Sequence, residues 1–67
     1  MKRSDITDEH VLELATRWKY APGDCPGVIE QLMDEGVPQK VALAKVLHMC
    51  DCGLLEYGTS PFYAWPA

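Results

Sequence analysis

The 67-residue sequence is poor in basic residues and in cysteine, and it has no long apolar run. Its six Lys and Arg are outnumbered by ten Asp and Glu, which gives a formal net charge of −4, whereas strong nucleic-acid binders usually carry a positive balance. Three cysteines cannot all pair within the chain. No stretch approaches the roughly 18 apolar residues of a membrane-spanning helix, and Met1–Asp5 leads into no signal-peptide core. We therefore predict a soluble cytoplasmic protein with reduced thiols.

The short motifs of common catalytic sites are also missing. The sequence contains no glycine-rich phosphate loop, no HExxH and no GxSxG, which are typical of nucleotide, zinc-protease and hydrolase sites. A domain of this size buries only about 60% of the surface of its unfolded chain and has little volume for a pocket. We predict that the protein is not an enzyme and has no cofactor.

Four side chains could in principle ligate a metal: Cys25, His48, Cys50 and Cys52. Zinc needs donors that converge tetrahedrally, and the sequence has no C-x-x-C pair. On a continuous helix His48 and Cys52 share a face, but Cys50 turns about 200° away from both. We predict no metal site: Cys50 packs as a small apolar side chain, Cys25 lies near a helix start, and Cys52 is a partly exposed thiol.

The residues that are present favour one folded domain over 1–67, because 48% are hydrophobic. A first helix is predicted over Thr7–Lys19. Thr7 is a suitable N-cap, acidic residues occupy the first turn and basic residues the last. Apolar residues fall on one arc at 100° per residue; they are Val11, Leu12, Leu14, Ala15 and Trp18.

Two further helices are predicted over Pro26–Glu35 and Pro38–Cys52. Proline suits the first turn of a helix, with Asp24 or Cys25 as the cap of the second helix. Gly36 and Gly53 suit the left-handed position that ends a helix. On the third helix we expect a core side made of Ala42, Leu43, Val46, Leu47, Met49 and Cys50.

After the third predicted helix, the spacing of apolar residues changes from 3.6 residues, which is typical of a helix, to 2 residues, which is typical of a strand. Leu54–Tyr57 and Phe62–Trp65 read as short strands, and the four residues Gly58–Pro61 between them form a turn segment. The predicted fold is therefore mostly α with a small β-hairpin. Two helices joined by a few residues around a glycine indicate a helix-turn-helix.

The third helix and the hairpin resemble winged helix-turn-helix proteins. The segment from Val37-Pro38-Gln39-Lys40-Val41 through Gly53-Leu54-Leu55-Glu56-Tyr57-Gly58 is similar to small winged-helix proteins of actinobacterial phages, where a Pro-x-Lys-Val start and a Gly-Leu-(Leu/Ile)-Glu-Tyr-Gly wing recur. Residues Ile6–Glu13 resemble their first helix. The resemblance implies a winged-helix regulator of transcription in the host cytoplasm. It departs at Ala44, His48 and Cys52, where the phage pattern has arginine.

The resemblance implies that the exposed side of the third helix enters a DNA major groove. The candidate DNA contacts on this helix are Gln39, Lys40, Ala44, Lys45 and His48, with Thr59 and Ser60 in the wing. Gln39 could read adenine, the lysines guanine or phosphate, and Ala44 a thymine methyl. Because a single small module with few cations binds weakly, we expect a homodimer.

A second function stays open from the sequence alone. Winged helices also serve as protein-interaction modules, and this acidic chain carries aromatic residues on its hairpin. Tyr57, Tyr63 and Trp65 form the candidate partner surface, for a host or phage protein. The alternative is that a thin core uses every available aromatic.

Overall fold

The computed structural model describes residues 2–21, 23 and 25–67. In chain order it contains a 3₁₀ turn at Arg3–Asp5, helices α1 (Asp8–Tyr20), α2 (Val28–Asp34) and α3 (Gln39–Asp51), strand β1 (Leu55–Glu56), a 3₁₀ turn at Pro61–Tyr63, and strand β2 (Trp65–Pro66). The two strands pair antiparallel, with Leu55 opposite Pro66 and Glu56 opposite Trp65. The predicted class, mostly helical with a two-stranded hairpin, is confirmed.

The ends of α2 and α3 follow from two glycines. Gly36 and Gly53 have φ of +96° and +80°, the left-handed region in which a side chain is strained. After α2, Val37 N donates to Leu32 O at 3.1 Å, and after α3, Leu54 N donates to Met49 O at 2.9 Å. These are the six-to-one bonds of the Schellman motif. Only Glu35–Pro38 separates α2 from α3.

The start of α1 is confirmed and the start of α2 is not. Thr7 Oγ1 accepts a hydrogen bond from His10 N at 3.2 Å, as expected of an N-cap. Helix α2 begins after Gly27, two residues later than predicted, so Cys25 is not the cap and Pro26 precedes the helix. The alternative cap, Asp24, lies outside the described residues.

The second predicted strand is wrong in part. Residues Pro61–Tyr63 form a 3₁₀ turn because Ser60 Oγ accepts from Phe62 N at 3.2 Å, and only Trp65 of Phe62–Trp65 pairs with β1. The connection between the strands therefore runs from Tyr57 to Ala64, longer than the predicted four-residue turn. The turn packs against α2 and α3, and β2 packs against α1.

One core is shared by the three helices and the hairpin. It consists of Ile6, Val11, Leu14, Ala15, Val28, Ile29, Leu32, Val37, Ala42, Val46, Met49, Leu55 and Ala64. Trp18 and Leu12, predicted on the apolar arc of α1, are partly buried at its margin. Over the part of the chain that the structure describes, no helix has the length and apolar character needed to cross a membrane.

Candidate nucleic-acid interface

We call the exposed residues of α3 its outer face; they are Gln39, Lys40, Ala44, Leu47, His48 and Asp51. Five of them share one side of the helix, and Gln39, the first residue of the helix, lies half a turn away from His48. The opposite side is buried and consists of Ala42, Lys45, Val46 and Met49. Of the predicted DNA contacts on this helix, Gln39, Lys40, Ala44 and His48 lie on the outer face, and Lys45 does not.

The expectation that Lys45 is exposed is wrong. Its residue surface is 6% exposed, and its Nζ donates to Asp8 Oδ1 at 2.5 Å. The aliphatic stem of a lysine can pack on apolar surface while its ammonium finds a partner, and here Asp8, in the first turn of α1, supplies the carboxylate. The ammonium of Lys45 is therefore engaged inside the protein.

The buried side of α3 is rotated relative to the side that the sequence predicts. This rotation, which buries Lys45, also exposes Leu47, a residue that the sequence predicts in the core. Leu47 is 37% exposed, and Leu43 and Cys50 are only partly buried. The buried side is turned by about 70° from the side that the apolar pattern marks, at 100° per residue. The apolar pattern cannot indicate that Lys45 is buried, because Asp8, the residue that pairs with its ammonium, lies 37 positions away in the sequence. Leu47 is thus an outer-face residue that the apolar pattern places on the wrong side, whereas Asp51 is exposed as that pattern predicts.

The beginning of α3 differs in charge from the beginnings of α1 and α2. Its N-cap is Pro38, which makes no side-chain capping bond, and its first turn contains no acidic residue. In contrast, the first turn of α1 contains Asp8 and Glu9, and that of α2 contains Glu30. Lys40 follows directly, and within the described residues no carboxylate pairs with it. The free N–H groups and partial positive charge of a helix start favour an anion.

The hairpin loop contains two hydroxyl groups that differ in exposure and in hydrogen bonding. Thr59 is exposed. Ser60 is half-buried, and its Oγ already accepts a hydrogen bond from Phe62 N. Its hydroxyl group can still donate one hydrogen bond. The loop residues Tyr57–Ser60 include no Lys or Arg. The hairpin can therefore add hydrogen bonds but little charge.

The aromatic residues of the hairpin divide into two groups. Tyr57 and Tyr63 are 42% and 44% exposed, whereas Phe62 and Trp65 are partly buried. The ring of Tyr63 lies 5.8 Å from that of Trp18 in a tilted arrangement, so one of its faces is already covered. Of the predicted partner surface, Tyr57 and Tyr63 are thus exposed to a similar extent, and Trp65 is partly buried.

A groove of about 310 Å³ lies between α1 and α2. It is lined by Arg17, Cys25, Pro26, Gln31, Asp34 and Glu35. Gln31 is buried and donates from Nε2 to the carbonyls of Leu14 and Pro26, each at 3.0 Å. Its Oε1 accepts from Arg17 Nη1 at 3.3 Å. Because Gln31 and Arg17 bond to each other, the groove is part of the α1–α2 packing.

The three thiols differ in burial and in surroundings. Burial, and secondarily the charge of Asp51, raises the pKa of Cys50. Cys52 is exposed at the end of α3, with its Sγ 3.7 Å from His48 Nε2. Cys25 is half-buried before α2. Within residues 2–21, 23 and 25–67, no three His, Cys, Asp or Glu side chains are grouped closely enough to hold a metal ion.

Comparison with known proteins gives no further guide. No protein-family model, no curated protein and no solved structure matches the chain.

Proposed function

We propose that the protein is a small winged-helix DNA-binding regulator that places the N-terminal half of α3 in a major groove. The observation that carries the proposal is the start of α3, which has no side-chain cap. Lys40, which pairs with no carboxylate among the described residues, and the small Ala44 are exposed on one side of the helix there. The order helix, turn, helix and hairpin supports it, since the second helix of such a pair is the one that enters the groove.

Each outer-face residue near the start of α3 has a matching partner on DNA. Gln39 carries a donor and an acceptor on one amide, the pattern that adenine offers in the major groove. Lys40 can donate to guanine or phosphate, and Ala44 is small enough to touch a thymine methyl. His48, two turns along, and the hydroxyls of Thr59 and Ser60 in the wing can form hydrogen bonds to phosphate oxygens. Lys45 is left out because Asp8 holds it.

The charge of the molecule sets the strength of binding. With net charge −4 and Lys45 paired internally, few cations can displace counterions from DNA. We therefore expect one copy to bind random duplex at the weak end of the usual range, a Kd of about 10⁻⁴ M at physiological salt. Specific recognition then requires two copies on adjacent half-sites.

The proposal is tested by anisotropy of a labelled random duplex across a salt series, starting at about 50 mM, since counterion release makes binding strongest at low salt. Lys40→Ala should weaken binding and reduce the log–log salt slope by about one. Lys19→Ala is the matched control, because it removes the same charge from an exposed position at the end of α1. Binding that is absent at low salt, or equal effects of the two variants, would overturn the proposal.

A protein-interaction module is the second candidate, and one observation favours it. Large apolar side chains stand exposed at the end of α3 and on the hairpin: Leu47, Leu54, Tyr57 and Tyr63. Exposed apolar and aromatic residues on an acidic surface are typical of a protein contact. Tyr57→Ser should then abolish partner capture while leaving duplex binding intact, and the opposite pattern would exclude this candidate.

A further inference from the structure

We propose that His48 and Cys52 form one half of a binding site for a zinc-class divalent metal ion, and that a second copy of this chain supplies the other half. The two residues lie one helical turn apart at the C-terminal end of α3. The inference is independent of DNA binding, because it is carried by the donor geometry at this end of the helix.

The donor spacing is that of a tetrahedral zinc site. Tetrahedral zinc binds thiolate sulfur at about 2.3 Å and imidazole nitrogen at about 2.0–2.1 Å, which places the two donors about 3.6 Å apart. In the structure His48 Nε2 and Cys52 Sγ are 3.7 Å apart. This contact is a hydrogen bond in the free chain, and an ion that replaces it finds the two donors already close to the required separation.

Both donors are also accessible, in contrast with the other His and Cys residues. His48 and Cys52 are exposed. The ring of His10 instead bonds Glu35 through Nε2 at 2.6 Å, and Cys50 packs against the core. Imidazole and thiolate together select zinc-class ions over magnesium or calcium, which prefer oxygen ligands.

One chain alone leaves the ion with two vacant positions. Over the described part of the chain, no third His, Cys, Asp or Glu side chain joins this pair. A second His48–Cys52 pair, related by a two-fold axis, completes a Cys₂His₂ set of the kind found in closed structural zinc sites.

The surroundings of the pair favour a second copy over water as the source of the remaining ligands. Leu47 precedes His48, and Leu54 follows Cys52 by two residues; each is 37% exposed. A two-fold contact at this end of α3 would remove both leucines from water in both copies, which is favourable. On binding, each Cys52 thiol gives its proton to solvent and each imidazole binds in its neutral form, so no oxidant or reductant is required.

Cobalt(II) titration of the reduced full-length chain tests the site. Co²⁺ replaces Zn²⁺ in such sites, and thiolate coordination gives a near-ultraviolet charge-transfer band with visible bands of tetrahedral intensity. We expect these bands to saturate at one Co²⁺ per two chains. Sedimentation should then show a dimer with the metal and a monomer after chelation. Titration of Zn²⁺ into the cobalt complex should bleach the bands.

Four variants identify the ligands. Cys52→Ser and His48→Gln should each weaken Co²⁺ binding at least tenfold and keep the chain monomeric, while Cys25→Ser and His10→Gln serve as matched controls and should bind as the parent does. Because His48 and Cys52 are exposed, unchanged far-ultraviolet circular dichroism will confirm that these variants fold. Absence of the charge-transfer band, or its survival in Cys52→Ser, would overturn the site. A monomeric complex of one metal per chain would overturn the part played by the second copy.

Discussion

Lys45 is the residue at which the structure departs most from a simple amphipathic helix. Its ammonium lies beside a carboxylate that remains half exposed, since the side chains of Lys45 and Asp8 are 8% and 53% exposed. A pair of this kind gains modest Coulomb energy and loses hydration of the buried partner. We infer that the main contribution of Lys45 to stability is the packing of its stem under α1.

Truncation of Lys45 separates packing from charge. Lys45→Ala should lower the free energy of unfolding by about 2 kcal/mol, because it empties the space of the buried stem. Lys45→Met keeps most of that volume and should change stability by less than about 1 kcal/mol. Exposed Lys40→Ala is the control, expected within about 0.5 kcal/mol of the parent. Denaturant titration measures all three, and equal effects of the two alanine variants would contradict the burial of Lys45.

Gln31 is the second residue whose role is visible only in the structure. Its side chain joins α1, α2 and the loop before α2 through three hydrogen bonds. Gln31→Met keeps the length but leaves the Pro26 carbonyl without this donor, and we expect a loss of about 1–3 kcal/mol. Gln39→Met, on the outer face of α3, is the same exchange in water and should be nearly neutral. A comparable melting temperature for the two variants would show that the Gln31 bonds contribute nothing.

Among the elements, the loop before α2 is held by a close approach of backbones. A Cβ atom added at Gly27 would lie 2.2 Å from Phe62 O and 2.8 Å from Tyr63 Cδ1. A Cβ atom added at Gly36 would have no neighbouring atom within 4 Å. Gly27→Ala must therefore push the Pro61–Tyr63 turn away from α2 and should cost about 3 kcal/mol. Gly36→Ala meets only the strain of its positive φ and should cost about 1–2 kcal/mol. Thermal melts that rank the two in the reverse order would contradict this packing.

Local signals explain which elements the sequence predicts correctly. The N-cap at Thr7 and the helix ends at Gly36 and Gly53 depend on neighbouring residues, and the structure confirms them. The start of α2 depends on Gly27 fitting against Phe62, 35 positions away, which no local pattern shows. The aromatic alternation over Phe62–Trp65 imitates a strand, although Ser60 caps a 3₁₀ turn there.

Helical periodicity predicts most, but not all, of the exposed residues of α3. Lys40, Ala44 and His48 are exposed as the helical wheel predicts, because they lie outside the predicted core arc. Gln39 falls inside that arc, but it is the first residue of α3 and is exposed. Lys45 and Leu47 lie at the edges of the predicted faces. A rotation of about 70° was enough to exchange them, and α3 is held in this orientation by its packing against α2, β1 and both 3₁₀ turns.

At the scale of the whole molecule, the core forms without any metal ligand. None of its thirteen buried apolar residues is a cysteine or histidine, so chelator and reducing agent should leave the cooperative melt of the dilute chain unchanged. Added Zn²⁺ should raise the melting temperature, and the increase should be larger at higher protein concentration, because an ion that joins two folded copies stabilises them by mass action. Circular dichroism melts with and without chelator check both statements. A loss of fold with chelator would mean that the metal is part of the core.

Amide chemical-shift mapping tests most directly whether the beginning of α3 is the surface that meets DNA. Uniformly ¹⁵N-labelled protein is titrated with a short random duplex at low salt, where weak backbone binding is strongest. We expect the largest shifts on Gln39–Ala44 and smaller ones at Thr59 and Ser60, and we expect all of them to decrease as salt is raised. Spectra that do not change, or shifts that concentrate on the solvent side of α1, would contradict this expectation.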